Sequence, residues 1–156
     1  MSKTNAMRLL DSLNIDYKYM DYDSRDNKID GISVAKKIGR SPEEVFKTLV
    51  AQGNSGDIYV FIIPVDKELD LKKAAKAARE KKIDMIHVKD ILKYTGYIRG
   101  GCSPIGMKKP YPSFIDESAM ILDTIIISGG KIGVQIELKP SDLQNIINGQ
   151  LIDLVK

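Results

Sequence analysis

The chain has 156 residues, 43% of them apolar and 29% charged, which suits one globular domain and excludes disordered, collagen-like and coiled-coil chains. Its one cysteine, Cys102, excludes an intrachain disulfide and a multi-cysteine metal site, and its one histidine, His87, excludes His-rich zinc sites. Twenty-four basic residues against twenty-one acidic ones leave a net charge of +3, which is too small to identify a nucleic-acid-binding protein.

The N-terminal part of the chain alternates helical and extended patterns. Apolar residues at helical spacing predict an amphipathic helix over about residues 3–14. Tyrosines that alternate with polar neighbours predict a strand over 17–23, and the polar run 24–31 predicts a loop. A short helix is predicted over 33–38, and the motif at 41–44 has the N-cap, proline and glutamate typical of another helix start.

The middle of the chain predicts a hairpin and then a basic helix. Residues 46–51 and 58–64 are apolar and rich in β-branched or aromatic residues, and the glycine-containing segment 53–57 between them predicts a tight connection. Asp70 is a suitable N-cap for a lysine-rich helix that extends to about Glu80.

The C-terminal half combines a shaped loop with a second hairpin. A brief strand is predicted within 83–88 and a helical turn over 90–95, and glycines and prolines exclude regular structure over 100–112. Two β-rich runs, 121–128 and 132–138, are separated by Gly129-Gly130-Lys131, which predicts a tight turn. A last helix is predicted from Pro140, and a last strand over 151–155.

This order of elements favours the α+β class. Strands alternate with short helices without a repeating βα unit, and two neighbouring strand pairs have antiparallel character. We expect a single domain over residues 1–156, with a curved, mixed, largely antiparallel and barrel-like sheet flanked by short helices. A doubly wound nucleotide-binding fold is disfavoured because its glycine fingerprint and the phosphate-loop motif are absent.

Three features of the sequence could carry chemistry. Lys47 lies within an apolar strand, where simple alternation also allows it to face solvent. The glycine-rich segments 100–106 and 128–131 could present backbone N–H groups to an anionic ligand, or could only satisfy tight turns. The simpler interpretation of Cys102 is an inert thiol, and that of His87 is a structural side chain.

Basic residues cluster over 72–82, where Glu80 is the only acid, and again beside the glycine-rich loop. Such clusters are usually solvated faces, and the alternative is an RNA-contacting surface. The candidate RNA contacts are Lys72, Lys73, Lys76, Lys108 and Lys109.

Five segments, in order along nearly the whole chain, point to a known family. They are Lys3-Thr4-Asn5-Ala6, Phe46-Lys47-Thr48-Leu49, residues 69–76, Thr95-Gly96-Tyr97 with the following loop 100–106, and Ser128-Gly129-Gly130-Lys131. Together they resemble the YbaK/EbsC family, and within it the bacterial Cys-tRNA(Pro) deacylases, which are related to the editing insertion of prolyl-tRNA synthetase.

The resemblance implies an enzyme that hydrolyses the ester between a mischarged amino acid and the 3′ end of tRNA, without a cofactor, a metal or a protein nucleophile. The thiol of the substrate cysteine would attack its own ester carbonyl, and the site would orient that thiol and stabilise the oxyanion. The resemblance implies two catalytic residues: Lys47 as the essential lysine, and Gly101 as a backbone donor in the loop 100–104.

The resemblance also implies a set of substrate-binding residues: Met20, Thr48, Gly100, Cys102, Ser103, Pro104, Ser128, Gly129, Gly130 and Gln135. Met20 stands where several members have a tyrosine, and Gln135 stands at a position that is sometimes acidic. Cys102 is interpreted as a lining residue and not as the nucleophile.

The implied partners are cysteine-charged tRNA(Pro) and prolyl-tRNA synthetase, with neither a membrane nor DNA involved. The sequence has no signal peptide and no apolar run of membrane-spanning length, so a cytoplasmic location is expected. Two other functions stay open: an Ala-tRNA(Pro) deacylase that uses a bound water, and a non-catalytic module that binds the tRNA 3′ end.

Overall fold

The architecture was obtained from a computed structural model, which describes residues 2–156. The regular elements follow in chain order: α1 (Asn5–Ser12), β1 (Lys18–Asp21), α2 (Gly31–Lys37), β2 (Phe46–Gly53), β3 (Ile58–Pro64), α3 (Leu71–Ala78), β4 (Ile83–Met85), α4 (Ile91–Thr95), β5 (Ser113–Asp116), β6 (Ile125–Lys131), β7 (Val134–Leu138), α5 (Pro140–Ile147) and β8 (Gln150–Ile152). Short 3₁₀ helices cover Val88–Asp90 and Glu117–Ile121. Within residues 2–156, no helix has the length and apolar content needed to cross a membrane.

The strands form two sheets that meet at one bridge. A five-stranded sheet has the order β4-β2-β3-β5-β8, in which β4, β2 and β3 are antiparallel and β5 and β8 add in parallel. An antiparallel sheet has the order β1-β7-β6. An isolated parallel bridge joins Val45 to Ile126. The predicted α+β class and mixed sheet are confirmed, with two sheets in place of one and no closed barrel within the described chain.

Most elements with strong local signals form as predicted. Thr4 caps α1, because its hydroxyl accepts a hydrogen bond from Met7 N at 3.2 Å. Asp70 caps α3 and accepts from Lys72 N at 2.9 Å and from Lys73 N at 3.1 Å. The hairpin of β2 and β3 has the predicted connection over 53–57.

Three local predictions are wrong. Residues 41–44 form only one turn, with Glu44 N donating to Ser41 O at 3.0 Å, because the next residue already belongs to the bridge between the sheets. Gly129–Lys131 is not a turn: β6 continues to Lys131 through a bulge after Ser128, and the chain reverses at Ile132-Gly133. The strand predicted from 121 begins at Ile125, since the 3₁₀ helix precedes it.

Strand β5, which the sequence analysis did not predict, completes the larger sheet. Its four residues, Ser113–Asp116, are all buried, so they lack the alternation of polar and apolar residues that marks a half-exposed strand. Phe114 stacks on Phe61 of β3, with ring centroids 5.3 Å apart.

Three groups of buried residues make up the core. The first core fills the space between the two sheets and includes Met7, Ile62 and Ile136. The second core lies on the other face of the five-stranded sheet, beneath α3. The third core is small and consists of Ala35, Val45, Val65 and Ile126. Because β3 is covered on both faces, all of its residues are buried. Strand β2 is therefore paired with a closely packed strand that holds it in place.

An ionic network ties the connection between α2 and β2 to the smaller sheet. Arg40 donates to both carboxylate oxygens of Glu137 on β7, at 3.1 and 2.6 Å, and also to Glu44. Thr124 Oγ1 donates to the same carboxylate at 2.5 Å. Hydrogen bonding to Arg40 lowers the pKa of Glu137.

Replacing Arg40 should destabilise the fold. We expect Arg40→Met to lower the free energy of unfolding by about 2 kcal/mol in urea titrations at pH 7, because the mostly buried Glu137 carboxylate loses its charged partner. Since the pKa of Glu137 is lowered in the folded state, its stabilisation is present above about pH 4.5 and is lost as the pH falls below that value. The variant should therefore show a weaker decline in stability over that acidic range.

The matched control is Arg25→Met. Arg25 also forms a bidentate pair, with Asp23, but both side chains are largely exposed. Its removal should leave the unfolding free energy essentially unchanged, because a solvent-exposed pair is screened by water. Equal effects of the two substitutions would contradict the structural role given to Arg40.

Candidate functional site

A cavity of about 520 Å³ opens beside the first residues of β2, where the two sheets diverge. Six of the residues predicted for the site line it: Lys47, Thr48, Gly100, Cys102, Ser128 and Gln135. The other lining residues were not predicted as site residues: Asn27, Ile29, Asp30, Gly31, Val34, Val45, Phe46, Leu49, Val65 and Arg99. The structure thus brings together one lysine and parts of both glycine-rich segments.

The open edge of β2 forms one wall of the cavity. Val65 N donates to Val45 O at 2.8 Å and Gly53 N donates to Asp57 O at 2.9 Å, so the odd-numbered residues of this strand point their backbone polar groups toward β3. Strand β4 pairs only with the last three residues of β2. The backbone N–H and C=O of Thr48 therefore face the open edge, and its buried hydroxyl has no hydrogen-bond partner in residues 2–156.

Cationic side chains dominate the charge of the cavity. Lys47 is half-buried and Arg99 is exposed, and neither forms an ion pair with any residue from 2 to 156. Asp30 is the only carboxylate among the lining residues. The described part of the chain contains no group of three or more His, Cys, Asp or Glu side chains that could hold a metal ion. The arrangement suits a ligand that carries negative charge.

The loop after α4 approaches the cavity through a glycine turn. Gly101 N donates to Ile98 O at 3.0 Å, and Gly100 between them has a φ of +84°, which favours glycine. A Cβ on Gly101 would lie 2.8 Å from Lys131 Cα, so this residue is packed against the turn between β6 and β7. The N–H of Gly101 is thus already bonded, whereas the N–H groups of Gly100 and Cys102 donate to no backbone acceptor among residues 2–156.

Ser128 is the residue of the second glycine segment that lines the cavity, and Gly129, Gly130 and Lys131 lie outside the lining. Gly129 is buried, its carbonyl accepts from Thr4 Oγ1 at 2.5 Å, and a Cβ there would lie 2.7 Å from Val134 Cγ1. Gly130 has a φ of +105°. These two glycines form the bulge of β6 and anchor the start of α1, and neither lines the cavity.

Three further residues predicted to bind substrate also lie outside the lining. Ser103 is fully buried, and its hydroxyl accepts from Ile105 N at 3.2 Å. Pro104 is buried beside it. Met20 is half-buried and packs against the third core.

The candidate RNA contacts lie outside the cavity lining, and two of them are engaged within the protein. Lys73 Nζ is 2.8 Å from Asp153 Oδ2 and donates to Val155 O at 2.7 Å. Lys108 Nζ donates to Lys93 O at 3.3 Å. Lys72 and Lys76 are exposed on α3, and Lys108 and Lys109 are exposed after the glycine-rich loop.

Cys102 has the properties of a lining residue. Burial raises the pKa of its thiol to about 11, and its Sγ lies 3.9 Å from Thr95 Oγ1. The thiol is therefore protonated at neutral pH, whereas a nucleophilic cysteine needs a thiolate. His87 is exposed and lies outside the cavity.

The segment 27–31 belongs to the run 24–31 that is predicted only as a polar loop, yet it forms a wall of the cavity. Ile29 reaches the glycine-rich loop: its Cδ1 lies 2.7 Å from where a Cβ on Gly100 would be. Gly31 packs against Val65: a Cβ added to Gly31 would lie 2.6 Å from Val65 Cβ. No local sequence signal predicts these contacts, which depend on how the segment crosses between the sheets.

Comparisons with known proteins agree with the architecture. The family model for the aminoacyl-tRNA editing domain matches residues 30–146. The chain is 45% identical over 152 residues to the Enterococcus faecalis protein named "Putative Cys-tRNA(Pro)/Cys-tRNA(Cys) deacylase EbsC", covering 97% of this chain and 93% of that protein. It is 27% identical over 109 residues to the uncharacterized protein YwhH of Bacillus subtilis, covering 70% of this chain and 69% of that one.

The fold also matches solved structures. A crystal structure described as "a putative trans-editing enzyme for prolyl tRNA synthetase" superposes with a TM-score of 0.84 at 22% sequence identity. The match covers 100% of this chain and 99% of that chain, and at this identity it is a likeness of fold.

The raised pKa of Cys102 predicts slow alkylation of the native protein. With a pKa of about 11, the thiolate fraction at pH 8 is about two hundredfold lower than that of a free cysteine with a pKa of about 8.5. We expect the rate of iodoacetamide labelling, followed by mass spectrometry, to keep rising about tenfold per pH unit until it levels off near pH 11, whereas that of a free cysteine levels off near pH 8.5.

The control for this measurement is the same protein in urea, where burial no longer raises the thiol pKa. The unfolded chain should be labelled at the rate of N-acetylcysteine. Equal labelling rates for the native and unfolded protein at pH 8 would show that Cys102 ionises normally.

Proposed function

The chain belongs to the aminoacyl-tRNA editing domain family, and we propose that it is an aminoacyl-tRNA deacylase that acts in trans to remove cysteine from mischarged tRNA(Pro). The observation that carries this proposal is a cavity with unpaired cations and free backbone donors but no activated protein nucleophile. The name of the 45% identical relative supports the substrate.

The lining residues support a reaction in which the substrate supplies the nucleophile. The Cys102 thiol is protonated because its pKa is raised, and the hydroxyls of Thr48 and Ser128 have no histidine beside them within the lining. In the proposed step, the thiol of the esterified cysteine attacks its own carbonyl carbon. The new C–S bond closes a four-membered thiolactone, the C–O bond to the ribose breaks, and the thiol proton passes to the departing ribose oxygen.

Backbone N–H groups would stabilise the oxyanion that forms on the carbonyl oxygen. The resemblance implied Gly101 for this role, but its N–H is bonded to Ile98 O. We assign the role to the N–H groups of Gly100 and Cys102, which line the cavity and donate to no backbone acceptor in residues 2–156. Lys47 would act as a point charge that holds the phosphate of the terminal nucleotide.

The test is a deacylation assay with Cys-tRNA(Pro) and Ala-tRNA(Pro), each with and without prolyl-tRNA synthetase. We expect release of cysteine and little release of alanine, because alanine has no thiol to attack the ester. A preference for alanine would identify the sister activity with a bound water. RNA binding without turnover at high enzyme concentration would identify a non-catalytic module.

Three variants locate the activity within the cavity. Lys47→Ala should lower kcat/KM by about a hundredfold, because the site loses a charge that faces the reacting end. Lys67→Ala is the matched control: Lys67 is exposed and outside the lining, so activity should be unchanged. Cys102→Ser should stay within about twofold of the native rate, and its complete loss of activity would instead indicate a protein thiol mechanism.

We propose that tRNA is also contacted by a basic stripe on α3 and at its C-terminal end, defined as Lys72, Lys76 and Arg79. The spacing of four residues places Lys72 and Lys76 on one side of the helix, and Arg79 is the residue that ends it, with a φ of +58°. All three side chains are exposed and outside every ion pair within residues 2–156. Helix α3 covers the second core, and Leu49 of β2 packs against that core. Because Lys47 shares a strand face with Leu49, the stripe lies on the same side of the sheet as Lys47.

Removing the stripe should weaken RNA binding in a salt-dependent way. The triple variant K72A/K76A/R79A should reduce the slope of log affinity against log salt concentration by about 2, since three phosphate contacts are lost. KM for charged tRNA should rise while kcat is unchanged. Lys73→Ala is the control on the same helix, because Lys73 is held by Asp153. An unchanged slope in the triple variant would exclude this surface.

A further inference from the structure

The charges that line the cavity match the two charged groups of an aminoacylated RNA end. That end carries a phosphate and the α-ammonium group of the amino acid, and the cavity offers Lys47 and Arg99 together with one carboxylate, Asp30. Building on the proposed function, we propose that Asp30 binds the α-ammonium group of the esterified amino acid and so selects free aminoacyl esters over esters without an amine.

The carboxylate of Asp30 is held in place and still has room for a ligand. Its Oδ1 accepts from Ser33 Oγ at 2.6 Å, and its Oδ2 accepts from Ser33 N at 3.1 Å. Each carboxylate oxygen has about two acceptor positions, so one position on each oxygen is unused by Ser33. Both bonds come from one residue on α2, which restricts the rotamer before any ligand arrives.

The position of Asp30 suits an amine next to the reacting carbonyl. The preceding residue, Ile29, packs against Gly100, one of the two residues assigned to the oxyanion. Consecutive Cα atoms are about 3.8 Å apart, so the Cα of Asp30 is that close to the Cα of the residue that contacts Gly100. In an aminoacyl ester the amine is on the carbon adjacent to the carbonyl carbon. A carbonyl oxygen near Gly100 therefore brings the amine toward this wall of the cavity.

The other polar side chains of the cavity are less suited to this role. Gln135, Thr48, Ser128 and Asn27 can accept a hydrogen bond, but they carry no charge that would balance an ammonium group. Lys47 and Arg99 would repel the ammonium. Asp30 is thus the one lining side chain that attracts this group by charge as well as by hydrogen bonding.

Asp30 also caps α2, and the substitution must separate that role from binding. Asparagine is as good an N-cap as aspartate, so Asp30→Asn removes the charge and keeps the helix start. Thermal unfolding of the variant should match that of the native protein. Asp66→Asn is the matched control, since Asp66 is an exposed carboxylate next to the lining residue Val65 but outside the lining.

The experiment compares two ligands that cannot be hydrolysed. One is adenosine with cysteine attached to the 3′ position through an amide, and the other is its 3-mercaptopropionyl counterpart, which lacks only the amine. Binding is measured by calorimetry for the native protein, Asp30→Asn and Asp66→Asn. We expect Asp30→Asn to weaken binding of the amine ligand about fivefold and to leave the counterpart within twofold. KM for Cys-tRNA(Pro) should rise by the same factor at unchanged kcat.

The outcomes separate this inference from the proposed function. Equal weakening of both ligands by Asp30→Asn, no weakening of either, or native protein that does not prefer the amine ligand would each overturn the role of Asp30. Native protein that binds the amine ligand through Asp30 but deacylates no aminoacyl-tRNA would overturn the proposed function and leave the ammonium site in place.

Discussion

The parallel bridge between Val45 and Ile126 is the constraint on which the site depends. It joins the two sheets at one point, and the network of Arg40 with Glu44 and Glu137 reinforces the same junction. Beyond the bridge the sheets diverge, so the start of β2 keeps an unpaired edge that lines the cavity. The free backbone polar groups of this edge, next to Thr48, can form hydrogen bonds with a ligand in the cavity.

Glycine is needed around the cavity because two backbones approach closely there. Gly101 touches the backbone of Lys131, so a side chain there would separate the glycine-rich loop from the sheet. Gly129 touches Val134, so a side chain there would disturb the pairing of β6 with β7. Gly100 and Cys102 line the cavity, and their N–H groups donate to no backbone acceptor within residues 2–156. The chemistry proposed for the site depends on these backbone donors and on charge. It therefore needs neither a histidine nor an ionised thiol of the protein.

Local sequence signals correctly predicted the elements that are stabilised by contacts within a few residues. The caps Thr4 and Asp70 and the hairpin connection 53–57 each satisfy backbone groups within a few residues, and all three formed as expected. Residues 41–44 had an equally good local signal for a helix, but Val45 is held in the bridge to the other sheet. Strand β5 had no alternation because both of its faces are buried. In both cases tertiary contacts decided the outcome.

By itself, the sequence determined the α+β class, the family and six of the residues that line the cavity, because those depend on local patterns and on motifs in order. Only the tertiary structure decided that Gly101, Ser103, Pro104, Gly129, Gly130 and Met20 lie outside the cavity lining and that Asp30 and Arg99 belong to it. The position of a residue in the sequence does not determine whether its side of a loop faces the cavity. That is set by contacts between distant segments, such as Ile29 with Gly100 and Thr4 with Gly129.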